Sequence, residues 1–432
     1  MKSNKYTSEQ LKTMVNDGTL CSVPFRTYEL KQGGKHGFCC KWIAPGLTQN
    51  GKLLDVSNST IADAWNGDEM HSIRQAMLEG KQVSACYPCY QEEKSSSASL
   101  RLQESNGWLD WLPDQFTKAV NEHIETGKVN DITKMDLRFS TLCNSMCRMC
   151  TPDISTNLAR ETTKIIEKDP GFKNVIFNYS PEWEKETDYG LDSTFMADLQ
   201  THLQGVNKLF FLGGETTIIK SVTTLLQSCV DQGIAGNIDV QYSMNCTNTA
   251  PHHIELLGQF RSVQLTLSID AYGGLNDYIR YPSHWSTIEK NVEELVKLPK
   301  PFWIVTSPVP MVYNMLHWHE LMRFWSDVNE NYAVDVFPCH LETPSYMKPN
   351  NLPHILLPLA LKSLHDSLKM PICQNNEVAV ERIKHLLYEI TTNPIIEHTQ
   401  LKRHTDAQDL HRNMFLKDYV PDLAEALEKN VN

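Results

Sequence analysis

Three cysteines lie within eight positions of one another in the segment LCNSMCRMCT, residues 142–151, with the spacing C-x3-C-x2-C. They are Cys143, Cys147 and Cys150, and no fourth cysteine follows closely. A structural zinc site usually takes four protein ligands, often from two separated C-x2-C pairs. Three thiolates suit a [4Fe–4S] cluster that is held on three irons and keeps one coordination position open. Because an open position is typical of catalysis, the motif predicts a catalytic iron–sulfur centre, with an ordinary metal site as the alternative.

A second set of cysteines lies in the first hundred residues. Cys86 and Cys89 form a C-x2-C pair, and Cys21 precedes the adjacent cysteines Cys39 and Cys40. With one member of the adjacent pair, these residues make four thiolates, which is a closed set for either a [4Fe–4S] cluster or a zinc ion. The cysteines themselves do not choose between the two.

The elements that must position the first motif predict an α/β fold. Short runs rich in β-branched or aromatic residues recur at 135–140, 208–214, 238–245, 262–270, 302–309 and 333–339. Amphipathic helical patterns lie between most of them, so the alternation indicates βα units, a parallel sheet and right-handed crossovers. The three cysteines directly follow the first run. They are therefore expected on a βα loop, where parallel α/β folds build active sites.

The pattern of the chain divides it into four predicted segments. The first is rich in glycine, cysteine and polar residues, has one helical pattern at 60–78, and would lack enough core without a metal. The first crossover of the strand-rich part contains an irregular insertion at 168–190. The predicted segments are a small cysteine-rich α+β domain at 18–107, a connecting helix within 108–134, the strand-rich domain at 135–340 and a helical C-terminal extension at 341–432.

Composition limits the class of protein. The 432 residues carry a formal charge of −12, with 41% hydrophobic and 21% charged residues. The acidic balance argues against nucleic-acid binding and against binding to anionic membranes. The polar N-terminus has no apolar signal region, and runs such as HILLPLAL are too short to span a bilayer. Twelve cysteines without a secretory signal indicate metal binding rather than disulfides, so a cytoplasmic location is expected.

The C-x3-C-x2-C motif after a first strand resembles the signature of radical S-adenosylmethionine (SAM) enzymes. The resemblance implies a partial (β/α)6 barrel of the TIM type and a [4Fe–4S] cluster whose open iron binds the amino and carboxylate groups of SAM. In that family an electron from the cluster cleaves SAM, and the resulting 5′-deoxyadenosyl radical removes hydrogen from an unactivated C–H bond. An external low-potential donor such as flavodoxin or ferredoxin is also implied. The residue before the third cysteine is usually aromatic and packs on adenine; here it is Met149, whose thioether can pack on a ring edge.

The end of the second predicted strand, LGGET, resembles the Gly-Gly-Glu element of the same family. The resemblance implies that Gly213 and Gly214 allow close backbone approach to SAM and that Glu215 binds its ammonium group. The family usually continues with proline, whereas this chain has Thr216.

Polar residues at later strand ends are further candidates for binding SAM. Asn245 closes the third predicted strand, and Ser268 and Asp270 close the fourth. These side chains could bind the ribose hydroxyls or the carboxylate of SAM, or they could cap the helices that follow, and capping is the preferred role for Asp270. Arg280 could bind a carboxylate of SAM or substrate, with a surface ion pair as the alternative.

The N-terminal cysteines resemble the Twitch half of the SPASM/Twitch auxiliary-cluster domains, through the order C-x12-G-x4-C followed by C-x2-C. The resemblance selects Cys39 over Cys40 and implies an auxiliary [4Fe–4S] cluster on Cys21, Cys39, Cys86 and Cys89. In this chain the domain precedes the barrel instead of following it. A zinc ion that stabilises a domain with little core is the alternative.

Together these features predict a radical SAM enzyme with two [4Fe–4S] clusters that acts on a peptide or protein, as a maturase does. A small-molecule substrate, such as a sugar, nucleotide or amino-acid derivative, is the alternative within enzymes. A metal-stabilised binding module with an inert cysteine loop is the non-enzymatic alternative.

Overall fold

A computed structural model describes residues 5–95, 99–177, 179–185 and 187–431. The chain divides into two compact units. The first comprises Met1–Ser140, Asp188–Leu212 and Lys220–Val240, and the second comprises Thr141–Thr187, Gly213–Ile219 and Gln241–Asn432. The four N-terminal candidate ligands belong to the first unit, and the C-x3-C-x2-C motif belongs to the second. The four segment boundaries predicted from sequence do not coincide with this division and stay a prediction.

The described residues form one eight-stranded, mostly parallel sheet and one two-stranded hairpin. The order in the large sheet is β10-β9-β8-β7-β6-β5-β1-β2, and β2 is antiparallel to β1. Consecutive neighbours from β5 to β10 follow the chain order, as repeated βα units require. The strands are β1 (Thr27–Lys31), β2 (Lys35–Gly37), β3 (Thr48–Gln49), β4 (Lys52–Leu53), β5 (Lys134–Leu137), β6 (Lys208–Phe211), β7 (Asp239–Met244), β8 (Ser262–Leu267), β9 (Phe302–Thr306) and β10 (Val334–Val336).

Strand side chains alternate between buried and partly exposed. In β8, Val263, Leu265 and Leu267 are buried, whereas Gln264 and Thr266 between them are partly exposed. This period of two puts the valine and leucine side chains on one face and leaves a polar second face. All six predicted runs contain a strand, and each strand ends before its run does. The polar and glycine residues at the ends of the runs lie in loops, which is where the candidate site residues are.

The helices confirm the predicted α/β class and the helical C-terminal region. Six of them, α13 to α18, follow β9, and five of these lie beyond β10. The helices in the described residues are α1 (Ser8–Asn16), α2 (Ile61–Trp65), α3 (Asp68–Leu78), α4 (Tyr87–Ser95), α5 (Leu100–Trp111), α6 (Pro113–Thr126), α7 (Thr156–Lys168), α8 (Ser193–Thr201), α9 (Lys220–Asp231), α10 (Pro251–Leu257), α11 (Gly274–Ile279), α12 (Trp285–Leu295), α13 (Trp318–Asn329), α14 (Leu357–Leu368), α15 (Pro371–Gln374), α16 (Glu377–Thr392), α17 (His398–Arg412) and α18 (Pro421–Val431).

Two predicted helices are each divided. The pattern at 60–78 forms α2 and α3, because Asn66 ends the first helix with a non-helical conformation and Gly67 begins the second. The connecting segment contains the end of α5 and all of α6. Leu112 lies between them with an extended φ of −141°, because the residue before a proline is pushed out of the helical region and Pro113 then starts α6.

The insertion at 168–190 is irregular, as predicted. Its described part contains short 3-10 helices at Pro170–Asn174, Pro181–Glu184 and Tyr189–Leu191. Residues 178 and 186 of the insertion lie outside the described residues.

None of the helices described here combines the length and the apolar character that crossing a bilayer would require.

Candidate metal centre

The three-cysteine loop follows β5, and its thiols lie close together in the second unit. Cys147 is 5% exposed, and the Cys150 thiol donates a hydrogen bond to it. That hydrogen bond lowers the pKa of Cys147 and raises the pKa of Cys150 well above its usual value. Burial, together with the nearby Cys147, raises the pKa of Cys143 to about 12. A metal must therefore displace protons from at least two of the three thiols when it binds.

A buried arginine inside the motif fixes the loop to the C-terminal helices. Arg148 is fully buried, and its Nη2 lies 2.6 Å from Asp409 Oδ1 on α17. Its Nε donates to the Tyr278 carbonyl at 2.9 Å, and the guanidinium lies 3.6 Å from the centre of the Tyr278 ring. The Arg148 backbone N–H donates to the Ile279 carbonyl at 2.8 Å. The residue between Cys147 and Met149 thus holds the loop in place.

A second arginine reaches the same loop from α17. Arg412 donates from Nη2 to the Met146 carbonyl at 2.8 Å and pairs with the Glu161 carboxylate through Nε and Nη2. The side chains of Arg412 and Glu161 are 0% and 4% exposed, so this ion pair is buried. The Met146 N–H donates to the Tyr281 carbonyl. The cysteine loop is therefore held on both sides of Cys147.

The two glycines after β6 bring the backbone against the residue that precedes Cys143. Gly213 and Gly214 have φ values of 81° and 56°, in the left-handed region that favours glycine. A Cβ on Gly214 would lie 2.2 Å from the Leu142 carbonyl oxygen. The Glu215 N–H donates to that same oxygen at 2.8 Å. Only glycine fits at position 214, so the pair and the cysteine loop form one structural feature.

A hydrogen-bonded chain joins Glu215 to the cysteine loop. The Glu215 carboxylate is 3% exposed and accepts from the Asn245 N–H at 2.9 Å and the Thr217 hydroxyl at 2.8 Å. The Asn245 amide nitrogen donates to Asn144 Oδ1 at 2.6 Å and to Ser145 Oγ at 3.0 Å. Burial raises the pKa of Glu215 to about 7 despite these donors. A nearby cation would lower that pKa again, so the carboxylate is suited to binding one.

The Glu215 carboxyl makes stability depend on pH. Its pKa is about 7 in the native chain and 4.5 without burial, so between these values the native state holds a proton that the unfolded chain has released. Stability should therefore fall as pH rises through this window, by up to about 3 kcal/mol at 1.36 kcal/mol per pKa unit. We expect Glu215→Gln to remove this contribution. Urea unfolding of both chains at pH 5 and pH 8 checks it, and equal pH slopes would contradict it, because all other titrating groups are shared.

Capping, one of two alternatives for Asn245 and Ser268 and the preferred role for Asp270, is wrong for all three. Helix α10 is preceded by Ala250 at its N-cap and α11 by Gly273, so none of the three residues occupies a cap. The Asp270 carboxylate instead accepts from the Val309 N–H at 2.8 Å and pairs with a buried arginine.

That arginine is Arg280, and its predicted alternative as a surface ion pair is also wrong. Arg280 Nε lies 2.6 Å from Asp270 Oδ2, and the two side chains are 12% and 0% exposed. Arg280 Nη1 lies 3.9 Å from Cys147 Sγ and lowers the pKa of that thiol. The structure thus places a fixed positive charge beside the cysteine loop.

Met149 and Ser268 are the remaining candidates in this unit. Met149 is buried, with 8% of its surface exposed. Ser268 directly follows β8, and its N–H donates to the Met244 carbonyl at the end of β7. Both therefore lie at carboxyl ends of strands or in the loops that follow them, and their roles toward SAM stay predictions.

The four N-terminal candidate ligands line one small cavity in the first unit. Burial raises the pKa of Cys21 and of Cys86 to about 12, and it also raises the pKa of Cys89. Cys40 is exposed and does not line the cavity. The lining residues are Cys21, Cys39, Cys86 and Cys89, with Val23, Phe38, Lys41, Trp42, Met77, Tyr90, Leu100 and Arg101. Four soft donors in a mostly apolar wall fit a cluster or ion that requires thiolates.

Arg101 fixes one wall of this cavity. Its guanidinium pairs with both oxygens of Glu93 at 2.9 and 2.7 Å and donates to the carbonyls of Val15 and Leu20. The side chain is 4% exposed. Its charge lowers the pKa of Cys21 against the larger effect of burial. A buried cation at this point would offset the negative charge of a thiolate-bound metal.

Sequence reasoning missed Arg148, Arg412 and their partners. Arg148 lies inside the motif itself, and an arginine next to a buried cysteine was a usable signal. The sequence contains no comparable signal for Asp409 and Glu161, because both resemble ordinary polar residues of an exposed helix face. In α17 the buried set includes His404, Gln408 and Asp409, so hydropathy does not identify the face that packs inward.

Comparisons with known proteins found similarity only among solved structures: no protein-family model and no curated protein matches this chain. Crystal structures of Streptococcus suis SuiB, bound to S-adenosylmethionine or to its precursor peptide SuiA, are 14% identical to this chain with TM-scores of 0.34 and 0.37. Each of these matches covers 70% of this chain and 63% of the SuiB chain, less than two thirds of its length. A further SuiB structure matches over 74% of this chain and 67% of SuiB, with a TM-score of 0.34.

Proposed function

We propose that this chain is a radical SAM enzyme that removes hydrogen from an unactivated C–H bond of a peptide or protein. The observation that carries the proposal is the junction of the C-x3-C-x2-C loop with the Gly-Gly-Glu turn. Gly214 and Glu215 approach Leu142 so closely that no side chain fits between, and this sets a buried carboxylate beside three clustered thiols. A metal ion with a purely structural role would not need that carboxylate.

The donor set fits a [4Fe–4S] cluster with one open iron. Cys143, Cys147 and Cys150 would hold it, and the polar groups around the loop would hold SAM. When bound, the cluster supplies the electron that cleaves SAM and so provides the 5′-deoxyadenosyl radical. Arg148 and Arg412 keep the loop rigid and exclude water from its inner side, as a reactive centre requires.

The residues around the loop divide the binding of SAM among them. Glu215 would bind the ammonium group as a carboxylate, with its proton passing to solvent, because a neighbouring positive charge lowers a carboxyl pKa. The backbone of Gly213 and Gly214 accommodates the same end of the molecule. The nucleoside end would be bound by the residues at later strand ends and by the residue before the third cysteine, namely Asn245, Ser268 and Met149.

Arg280 acts through its charge. Asp270 fixes the guanidinium through Nε, which leaves the N–H groups of Nη1 and Nη2 outside that contact, and Nη1 lies 3.9 Å from Cys147 Sγ. There they can bind the SAM carboxylate bidentately or donate to cluster sulfur. The Asp270–Arg280 pair would thus orient SAM without needing a surface-exposed side chain.

The cavity in the first unit would hold an auxiliary [4Fe–4S] cluster on Cys21, Cys39, Cys86 and Cys89. Its use would be to accept the electron left on the product or to bind substrate. The electron that starts each reaction would come from an external low-potential protein such as flavodoxin or ferredoxin.

The polar face of the sheet in the second unit favours a substrate with amide groups. Gln241 Nε2 donates to Gln264 Oε1 at 2.9 Å, and these amides lie in neighbouring strands. Trp303 is 42% exposed, and its indole N–H donates to Asp335 at 2.6 Å. Side-chain amides and an exposed indole can bind a peptide backbone and its apolar side chains. A small molecule remains the second candidate.

Anaerobic purification tests the proposed function. The protein should carry about eight irons per chain, as two four-iron clusters require, and should release 5′-deoxyadenosine when SAM and dithionite are added. A peptide encoded beside the gene, deuterated at candidate carbons, should transfer deuterium into 5′-deoxyadenosine. About four irons with one zinc would favour the zinc alternative for the first unit. Iron-free protein that leaves SAM intact would overturn the proposal.

The adjacent cysteines give a matched test of the auxiliary site. We expect Cys39→Ala to lower the iron content by about four per chain, because it removes one of four thiolates that line the cavity. Cys40→Ala, one position away and exposed, should keep the full iron content. Iron analysis of the two anaerobic preparations checks this. The reverse result would make Cys40 the ligand.

A further inference from the structure

Two histidines and a glutamate meet in the second unit, and none of the three belongs to either set of cysteine ligands. His340 follows β10, and His385 and Glu389 lie one turn apart on α16, where residues four apart share a face. One ligand atom of each residue lies within 4.8 Å of the other two. The two imidazole rings are 5.1 Å apart at an angle of 82°.

This group has the chemistry of a zinc site. Two imidazoles and one carboxylate form a known donor set of zinc enzymes, in which the fourth position stays open to water or substrate. Zinc–nitrogen and zinc–oxygen bonds are near 2.0–2.1 Å long, so the ligand atoms of a tetrahedral zinc site lie about 3.3 Å apart. Both histidines are exposed, so rotation of their rings can close the remaining distance without moving the backbone.

Two buried oxygen atoms without hydrogen-bond partners in the described part of the chain are an independent indication that this group binds a ligand. Glu389 Oε2 is buried and has no hydrogen-bond partner among the described residues, and Asn350 Oδ1 nearby is in the same state. Both residues line a cavity that also holds the two histidines, Glu342 and Lys348. A buried oxygen without a partner is costly, and a cation would provide one. Lys348 is the only lysine or arginine among these lining residues, and its positive charge would oppose binding of a cation.

Helix α16 explains why this face is free to bind an ion. Its buried side is apolar, with Ala379, Ile383, Leu386 and Ile390 at helical spacing. His385 and Glu389 lie off that side, so packing of the helix does not depend on them. They are therefore available to a ligand without any change in that packing.

We propose that His340, His385 and Glu389 bind a divalent zinc-type cation through nitrogen and oxygen atoms, with one position left open. Its ligands are different residues from those of both cysteine sites. It does not rest on the proposed function, because its ligands belong to neither cluster.

Zinc binding to the full-length, iron–sulfur-reconstituted protein tests the proposal. After addition of one equivalent of Zn²⁺ and desalting, we expect one zinc per chain. X-ray absorption at the zinc edge should show nitrogen and oxygen neighbours near 2.0–2.1 Å, and not sulfur near 2.3 Å. His385→Ala should weaken zinc binding at least tenfold, and Glu389→Gln, which keeps the shape of the side chain, should weaken it in the same direction.

His365→Ala is the matched control, because His365 is also an exposed histidine, on α14. It should bind zinc as the parent protein does. Circular dichroism of all variants checks that they fold, and His340→Ala, in a loop, serves if a helix variant does not. A sulfur shell, no bound zinc, or equal zinc binding by His385→Ala and His365→Ala would overturn the proposal.

Discussion

Cys147→Ala is expected to abolish release of 5′-deoxyadenosine and to lower the iron content from about eight to about four per chain. Cys147 is the most buried thiol of the motif, and both the Cys150 thiol and Arg280 act on it. Without it, only two thiolates remain for a cluster that needs three. The measurement is anaerobic iron analysis combined with chromatography of the SAM cleavage products.

Cys373→Ala provides the control for this variant. Cys373 is also fully buried in the second unit, but it packs in α15 and belongs to no predicted ligand set. It should keep both iron content and SAM cleavage. If Cys147→Ala still releases 5′-deoxyadenosine at the parental rate, the assignment of the motif is wrong.

Asp409→Ala is expected to destabilise the protein by about 3–5 kcal/mol, because it leaves the fully buried Arg148 guanidinium without its charge partner. Burial raises the pKa of Asp409 even beside this arginine, so the pair is itself expensive to bury. The loss comes from the unpaired cation together with the Tyr278 hydroxyl and the Leu416 N–H, which lose the same acceptor. Denaturant unfolding of the two proteins measures the difference in free energy of unfolding.

Asp406→Ala is the matched control for that measurement. Asp406 lies on the same helix, α17, and pairs with Lys402 at 2.6 Å, but its side chain is 54% exposed. An exposed ion pair contributes about 0–1 kcal/mol, so this variant should unfold close to the parent protein. Equal losses for the two variants would show that Asp409 acts only through helix α17 and not through Arg148.

The α/β class and all six strands of the parallel series could be predicted from sequence, because strand and helix periods differ and alternate clearly. The break of the 60–78 helix was also readable: Asn66–Gly67 is a strong turn dipeptide. The division at Pro113 follows from proline chemistry in the same way. Local rules thus account for the elements and most of their ends.

The surroundings of the cysteine loop could not be predicted, because they depend on residues far apart in the chain. Arg148 and Asp409 are 261 positions apart, and Arg412 and Glu161 are 251 apart. No local period marks such pairs. Asp270 shows the same limit. A carboxylate at the end of a strand is a typical helix cap, but in the structure Asp270 pairs with Arg280 instead. Burial of both partners decides that outcome, and burial is a tertiary property.

The 261-residue separation of Arg148 from Asp409 has a consequence for biosynthesis. The thiols of the motif leave the ribosome long before α17, the helix that holds their loop through Arg148 and Arg412, is made. At about 5–20 residues per second, translation of the intervening chain takes roughly 13–50 s. During that interval the nascent loop is open to stray metals and oxidants. Arg148 has no charge partner until α17 has been made, so the cysteine loop reaches its final geometry only after the C-terminal helices are in place.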